Sequence, residues 1–284
     1  MEFITTTVPK NFNIFMLGDL HIGSLLFYGE GFNHALQMLD EDYRGSKCNH
    51  VIGMGDYCEA IDSSDKRFDT YTIDTGKIRP DLQYDYFEEL IRHTRKRWGC
   101  LLFGNHEDTH MKHSDYTRRI CKNLDIPYGT YSAVITYQLK TGEQLFKVFV
   151  THGRGSINST ADDPIRREAN YHLSLKRKFK GKFADCAISA MGHTHRLLVC
   201  PPKKTLYMTS EDGEMLQNYK EGEQSASYIH PDHRYYVNTG SFRRTYIRGC
   251  SDYAEKAMYD PVELGFPVVV VRNGKIQRIE KEYI

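Results

Sequence analysis

Five short stretches of the chain gather residue types that coordinate cations and move protons. They are Gly18-Asp19-Leu20-His21, Gly55-Asp56-Tyr57-Cys58-Glu59, Gly104-Asn105-His106-Glu107, Thr151-His152-Gly153 and Gly192-His193-Thr194-His195. The donors are carboxylate, carboxamide and imidazole, with no thiolate among them. Such a set suits Mn²⁺, Fe, Zn²⁺ and similar divalent ions, and it is more than one ion needs. Asp19 and His21, like His193 and His195, stand two residues apart. In extended chain that spacing turns both donors to one side, so each pair can grip one centre. The flanking glycines permit sharp turns and leave room for a substrate. A lone Gly-Asp is an ordinary turn and a lone His an ordinary surface or core residue; what points to chemistry is the ordered recurrence of five blocks.

Each block follows an apolar run of strand length, at residues 12–17, 51–54, 100–103, 146–150 and 184–191. Successive blocks lie 37 to 49 residues apart, enough for a strand–helix–strand unit of upwards of ~30 residues. They can therefore sit at the ends of successive strands of one sheet, where ligands of open α/β sheets gather. Leu36, Leu39 and Tyr43 fall on one helical face, and Leu82, Tyr86, Phe87, Leu90 and Ile91 form a wider apolar stripe. Asp163-Pro164 reads as the start of a third helix. Strands alternating with helices predict an α/β architecture. Residues 133–139 and 144–150, joined around Thr141-Gly142, read as a hairpin. The tail offers strands at 235–238, 267–271 and 275–279, the last two joined by Asn273-Gly274, so an antiparallel-rich half is expected to follow the first. The whole chain, 1–284, is read as a single domain with polar, aperiodic excursions around 60–80 and 200–234.

Composition narrows the function. Lys and Arg number 38 against 37 Asp and Glu, a net charge of +1, which argues against a polyanion-coating protein. The basic runs at 92–97 and 176–182 are read as solvated helix ends rather than a nucleic-acid groove. Seven cysteines, odd in number and without a Cys-x-x-Cys pair, fit reduced buried thiols and a cytoplasmic protein better than a zinc ribbon or a disulfide scaffold. No apolar run approaches the ~18 residues of a membrane span, and the N-terminus lacks the features of a signal peptide.

The ordered blocks, spanning residues 18–195, resemble the pattern of the calcineurin-like metallophosphoesterases: Asp-x-His, Gly-Asp-x-x-Asp/Glu, Gly-Asn-His-Asp/Glu, His and Gly-His-x-His. Asn238-Thr239-Gly240-Ser241-Phe242 is similar to a stretch that often follows the last block in bacterial and phage members. The resemblance implies a four-layer α/β/β/α sandwich of two mixed sheets flanked by helices. It also implies a dinuclear metal site at strand ends, holding Mn²⁺ first, with Fe, Zn²⁺ or Ni²⁺ as alternatives. Carried over residue by residue, Asp19, His21 and His195 would hold one ion, Asn105, His152 and His193 the other, and Asp56 would bridge them. His106 would be the general acid that is not a ligand. Glu59 matches the acid that orients this His in protein phosphatases of the family. Arg154 and Arg196, each just after a block, are candidates to bind a substrate phosphate, with Arg243 and Arg244 behind them.

The implied activity is phosphoester hydrolysis by a two-metal-activated hydroxide, as a phosphodiesterase or phosphatase acting on a nucleotide, nucleic acid or other phosphoester. A DNA exo- or endonuclease of the SbcD type is the alternative. A protein phosphatase fits less well, because Glu59-Ala60-Ile61 stands where that branch has Asp-Arg-Gly. A non-enzymatic scaffold is disfavoured by the intact ligand positions. The oligomeric state is left open.

Overall fold

In the computed structural model, which describes residues 1–61, 65, 68–111 and 114–284, the apolar run at 12–17 is a strand with all six residues buried. Burial on both sides explains why the run does not alternate. Phe12, Ile14 and Met16 face one core while Phe15 and Leu17 face another, as the two-residue period of a strand requires.

The strands in chain order are β1 (Glu2–Thr7), β2 (Phe12–Leu17), β3 (Asn49–Gly53), β4 (Trp98–Leu101), β5 (Ser132–Gln138), β6 (Gln144–Thr151), β7 (Ile188–Met191), β8 (Leu197–Cys200), β9 (Thr205–Glu211), β10 (Glu214–Lys220), β11 (Tyr235–Thr239), β12 (Gly265–Arg272) and β13 (Lys275–Tyr283). The helices are α1 (Gly29–Met38), α2 (Pro80–Ile91), α3 (Asn105–Asp108), α4 (Tyr116–Leu124), α5 (Pro164–Phe179) and α6 (Tyr253–Lys256). The architecture is mixed α/β with two large mixed sheets. One runs β13-β12-β2-β3-β4, the other β1-β5-β6-β7-β11-β8. Strands β2, β3 and β4 are parallel, as are β6, β7 and β11.

Both sheets contribute to a shared apolar core, with Ile14, Ile52 and Val269 from one and Ile135, Val148 and Val237 from the other. On the far face of the five-stranded sheet, Phe15, Val51 and Val268 cluster with Phe32 of α1, Phe87 of α2 and Ile120 of α4. On the far face of the six-stranded sheet, Phe149 and Tyr236 cluster with Leu175 and Phe179 of α5.

Several expectations change in detail. The five blocks do not lie on one sheet: β2, β3 and β4 carry three, and β6 and β7 carry two. After β4 the chain does not cross over again but enters the antiparallel β5–β6 hairpin, which belongs to the other sheet. Nor is the tail a separate half. β12, apolar and buried along seven of its eight residues, needs cover on both faces and takes a central place beside β2. The stripe on α2 is narrower than read: Tyr84, Phe87 and Ile91 are buried, whereas Leu82 and Tyr86 are exposed. Tyr43 lies beyond the end of α1, in a turn closed onto Ser46. The helix start at Asp163-Pro164 is as expected, with Asp163 accepting from the Arg166 N–H at 2.8 Å. The excursion at 200–234 holds the β9–β10 hairpin. Of the excursion at 60–80, residues 62–64 and 66–67 lie outside the described residues. All seven cysteines are free. No helix among the described residues is long and apolar enough to cross a membrane.

Candidate metal centre

The chain leaves β2, β3 and β7 through tight turns, and there Asp19, His21, Asp56, His193 and His195 all adopt left-handed φ angles between 49° and 69°. The paired donors are therefore not on extended chain, as their spacing alone suggested; each sits in a conformation that costs a non-glycine residue free energy and persists only where surroundings enforce it. The enforcing bonds cross between blocks. Leu20 and His21 donate their N–H groups to the Asp56 carbonyl at 2.9 and 3.2 Å, and Asp19 donates to Gly55 O at 2.9 Å. Ser241 Oγ donates to Asp19 O at 2.9 Å, which gives the Asn-Thr-Gly-Ser stretch a structural part. Two glycines make room for carboxylates rather than for a substrate. A Cβ on Gly104 would collide with Asp56 Oδ1, and one on Gly192 would lie 2.5 Å from Asp19 Oδ2.

All seven expected ligands come together in two neighbouring groups. Asp19, His21 and His195 form the first: His21 Nε2 and His195 Nε2 are 3.0 Å apart, and His195 Nε2 is 3.5 Å from Asp19 Oδ1. Asp56, His152 and His193 form the second, with Asn105 between the two imidazoles. Its Oδ1 is 3.0 Å from His152 Nε2 and 2.6 Å from His193 Nδ1. Asp19 and His152 are fully buried, Asp56 and His21 nearly so.

The donor set fits a cation. His152 Nδ1 donates to Met54 O at 2.8 Å, so neutral His152 turns a lone pair at Nε2 toward Asp56 Oδ2, 3.2 Å away, and toward Asn105 Oδ1. Three acceptors facing one another need a positive charge between them, a proton or a metal. Burial alone would pull the His152 imidazole down; the Asp56 carboxylate outweighs it and lifts the group to about 10. Burial lifts the Asp19 carboxyl to about 8. Both groups thus hold protons at neutral pH when no metal is bound, and a divalent ion must displace them. Affinity for Mn²⁺ is expected to rise at least tenfold per pH unit between about pH 6 and 8, with proton release visible as buffer-dependent heats in titration calorimetry. An affinity flat across that range would contradict the assignment.

Glu59 and His106 meet, but not as expected. The Glu59 carboxylate accepts from His21 Nδ1 at 2.9 Å, while it is the Glu59 backbone carbonyl that accepts from His106 Nδ1 at 2.5 Å. The cause is the turn at Ala60, whose φ of 51° swings the carbonyl inward, held by Ala60 N donating to Gln83 Oε1 at 2.8 Å. Burial would raise Glu59, but His21 beside it brings it down to about 2. His106 is pulled down by burial and more strongly raised by Asp56 and Glu59, so it is held above the ordinary imidazole value. With Nδ1 engaged, Nε2 is the nitrogen left to face the cleft.

Glu107 stands in the third block, but the sequence alone gives it no role. The buried Glu107 carboxylate accepts from the N–H groups of Gly104, Asp56 and Tyr57 at 2.7, 2.8 and 2.9 Å, tying the second block to the third. Its signal was legible as an acid three residues into a helix, the position that reaches back to the helix start.

His21, Asp56, Asn105, His193 and His195 line a cleft of about 750 Å³, while Asp19 and His152 are fully buried and outside its lining. Segment 155–162, Arg167, Tyr171 and Arg196 line one part of it; Arg243, Arg244, Tyr253 and Tyr259 line another. Arg196 is fixed by donating to Ile157 O at 3.0 Å and by stacking on Tyr171. Arg243 is buried in an ion pair with Asp252. Arg244 lies over the Tyr28 ring. Among the described residues no carboxylate pairs with Arg167, Arg196 or Arg244. Arg154, by contrast, is exposed and outside the cleft lining. No protein-family model matches this chain, and no curated protein matches it.

Proposed function

We propose that the chain is a metal-dependent phosphoester hydrolase with the four-layer α/β/β/α sandwich and dinuclear centre of the calcineurin-like metallophosphoesterases. The observation that carries this reading is the meeting of seven donors scattered from Asp19 to His195, five of which line one cleft. Asp19, His21 and His195 would hold one ion and Asn105, His152 and His193 the other, with Asp56 shared. Oxygen and imidazole donors favour Mn²⁺, with Fe, Zn²⁺ or Ni²⁺ as alternatives. When bound, the pair supplies positive charge to phosphoryl oxygens and lowers the pKa of water. The chain's own groups do the rest. Arg196 and Arg244 orient the phosphoester through charge-assisted hydrogen bonds. His106, its Nδ1 held by Glu59 O, gives a proton from Nε2 to the departing oxygen. Glu59 keeps the His21 ring in one tautomer, as carboxylates behind ligating histidines do.

The test is Mn²⁺-loaded protein offered bis-p-nitrophenyl phosphate, p-nitrophenyl phosphate, cyclic nucleotides, and single- and double-stranded DNA. Hydrolysis of at least one, lost in Asp56→Asn, is expected; cleavage of none by protein shown to carry both ions would favour a scaffold. A nuclease is the second reading. It is favoured by guanidinium groups without carboxylate partners in both parts of the cleft, and by Tyr171, Tyr253 and Tyr259, which offer stacking faces. On that reading a fluorescein-labelled 12-mer binds more tightly than a 3-mer in chelator, and Arg244→Gln reduces the salt slope by about 0.7. Equal affinity for the two lengths would return the substrate to the small phosphoesters.

A further inference from the structure

The β9–β10 hairpin joins neither large sheet. Its turn is Asp212-Gly213, both with positive φ, which suits a two-residue hairpin. Every residue in its strands is exposed except Asn218, which is half-buried. A lone two-stranded hairpin is marginally stable in water, yet this one presents an uncovered apolar face. The register sets Leu206 opposite Tyr219, Met208 opposite Gln217 and Ser210 opposite Met215. Leu206, Met208, Met215 and Tyr219 on that face are 52%, 64%, 80% and 64% exposed. The strand edges carry no proline and no bulge, the usual protections against further pairing. At the tip Glu214 stands directly across from Glu211, an unfavourable like-charge pair. Neither Glu214 nor Lys220 has an ion-pair partner among the described residues.

A second copy of the chain answers these features. Antiparallel pairing of β10 with itself about a two-fold axis keeps every side chain on its own face, so the axis must pass through a residue. Centred on Gln217, the register sets Glu214 opposite Lys220 of the second copy at both ends. It also sets Met215 opposite Tyr219 twice on the apolar face, a pairing of thioether with ring that is favourable in itself. Centred on Leu216, Glu214 would meet Asn218 and Met215 would meet Gln217. Centred on Asn218, Leu216 would meet Lys220. Only the Gln217 register matches both charge and apolarity. Self-pairing of β9 about Met208 would call on Lys204, which is already bonded to Glu221.

We propose that the free edge of β10 is a self-association surface. It joins two copies through a continuous four-stranded sheet, β9-β10-β10-β9, centred on Gln217. The contact is only seven residues long on each side, so the dimer is weak and forms with rising concentration.

Sedimentation velocity of the full chain over a micromolar range tests this. The parent is expected to shift from monomer toward dimer. Glu214→Lys puts lysine against Lys220 at both ends, and Lys220→Glu puts glutamate against Glu214; each alone should raise the dissociation constant about tenfold. The double variant Glu214→Lys/Lys220→Glu restores opposite charges and should recover the dimer, which a merely misfolded hairpin would not do. Opposed residues of an antiparallel pair lie ~4.5–5.5 Å apart at Cα, within disulfide range. Gln217→Cys should therefore cross-link under oxidation through two copies of position 217, identified by mass spectrometry. A parent that stays monomeric throughout, a double variant that does not recover, or a cross-link formed instead by Met208→Cys would each overturn the assignment.

Discussion

On the proposed phosphoester hydrolase activity, replacing His106 by Asn is expected to lower turnover of an alkyl phosphodiester by ~10²–10⁴-fold while leaving the metal content of the chain unchanged. The expectation follows from where the two ring nitrogens are engaged. Nδ1 gives its proton to Glu59 O, so the ring cannot rotate freely, and Nε2 is presented to the cleft. Burial pulls the imidazole down, but Asp56 and Glu59 overcome it and hold the group above its ordinary value, which favours the ring that carries a second proton. That proton is the one a departing alkoxide needs. On the proposed mechanism the group acts in its protonated form, so the parent's rate should fall as pH rises through the raised pKa, and the variant should lack this limb. Leaving-group dependence separates general-acid loss from mere distortion. An aryl oxygen such as p-nitrophenolate departs readily without a proton, so the deficit should shrink markedly on p-nitrophenyl esters. His106 also lies near His21 and Glu59 in a third group with cation-binding donors. Loss of bound metal in the variant, measured by elemental analysis, would show His106 to be a ligand and remove it from proton transfer.

Local chemistry was legible in the sequence wherever neighbours in the chain decide it. The run at 12–17 became a buried strand, Asn273-Gly274 joined β12 to β13, and Asp163 capped α5. The donors of all five blocks converged. What could not be read were choices made by partners distant in sequence. Whether β4 is followed by another parallel strand or by a new sheet depends on which surface the β5–β6 hairpin can bury, not on residues near Asn105. Arg154 stands two residues after His152, yet its side chain is exposed and outside the cleft lining, although the chain returns to the cleft at Gly155. The family resemblance gave Glu59 its part through its side chain, while the bond to His106 comes from its main chain, which every residue has. The α4 helix went unread because it shows only Ile120, Cys121 and Leu124 as apolar anchors amid Arg, Lys and Asn.

Glu107 offers the sharpest test of how the blocks are held in place. Its carboxylate is buried and serves the N–H groups of Gly104, Asp56 and Tyr57 together, with Cys58 N farther off at 3.4 Å. Glu107→Gln keeps size and shape but replaces an acceptor oxygen by an NH₂ group, so a donor faces donors. Two buried groups then lack partners, at about 1–3 kcal/mol each, for an expected loss of roughly 2–6 kcal/mol. Glu107→Ala leaves every one of these N–H groups without its acceptor and should cost at least as much. Burial already raises the Glu107 acid above its usual range, so the charge itself is not what stabilises the fold; the capacity to accept several bonds at once is. Urea unfolding of the metal-free chain measures that capacity apart from any ligand role. Since the Asp56 N–H is one of the groups released, Mn²⁺ affinity should fall as well, although Glu107 is not a ligand. An unfolding midpoint unchanged in Glu107→Gln would mean that the turns carrying Asp56 and Asn105 are set by their own backbone preferences. The left-handed φ of 49° at Asp56, in a residue without glycine's freedom, argues that they are not.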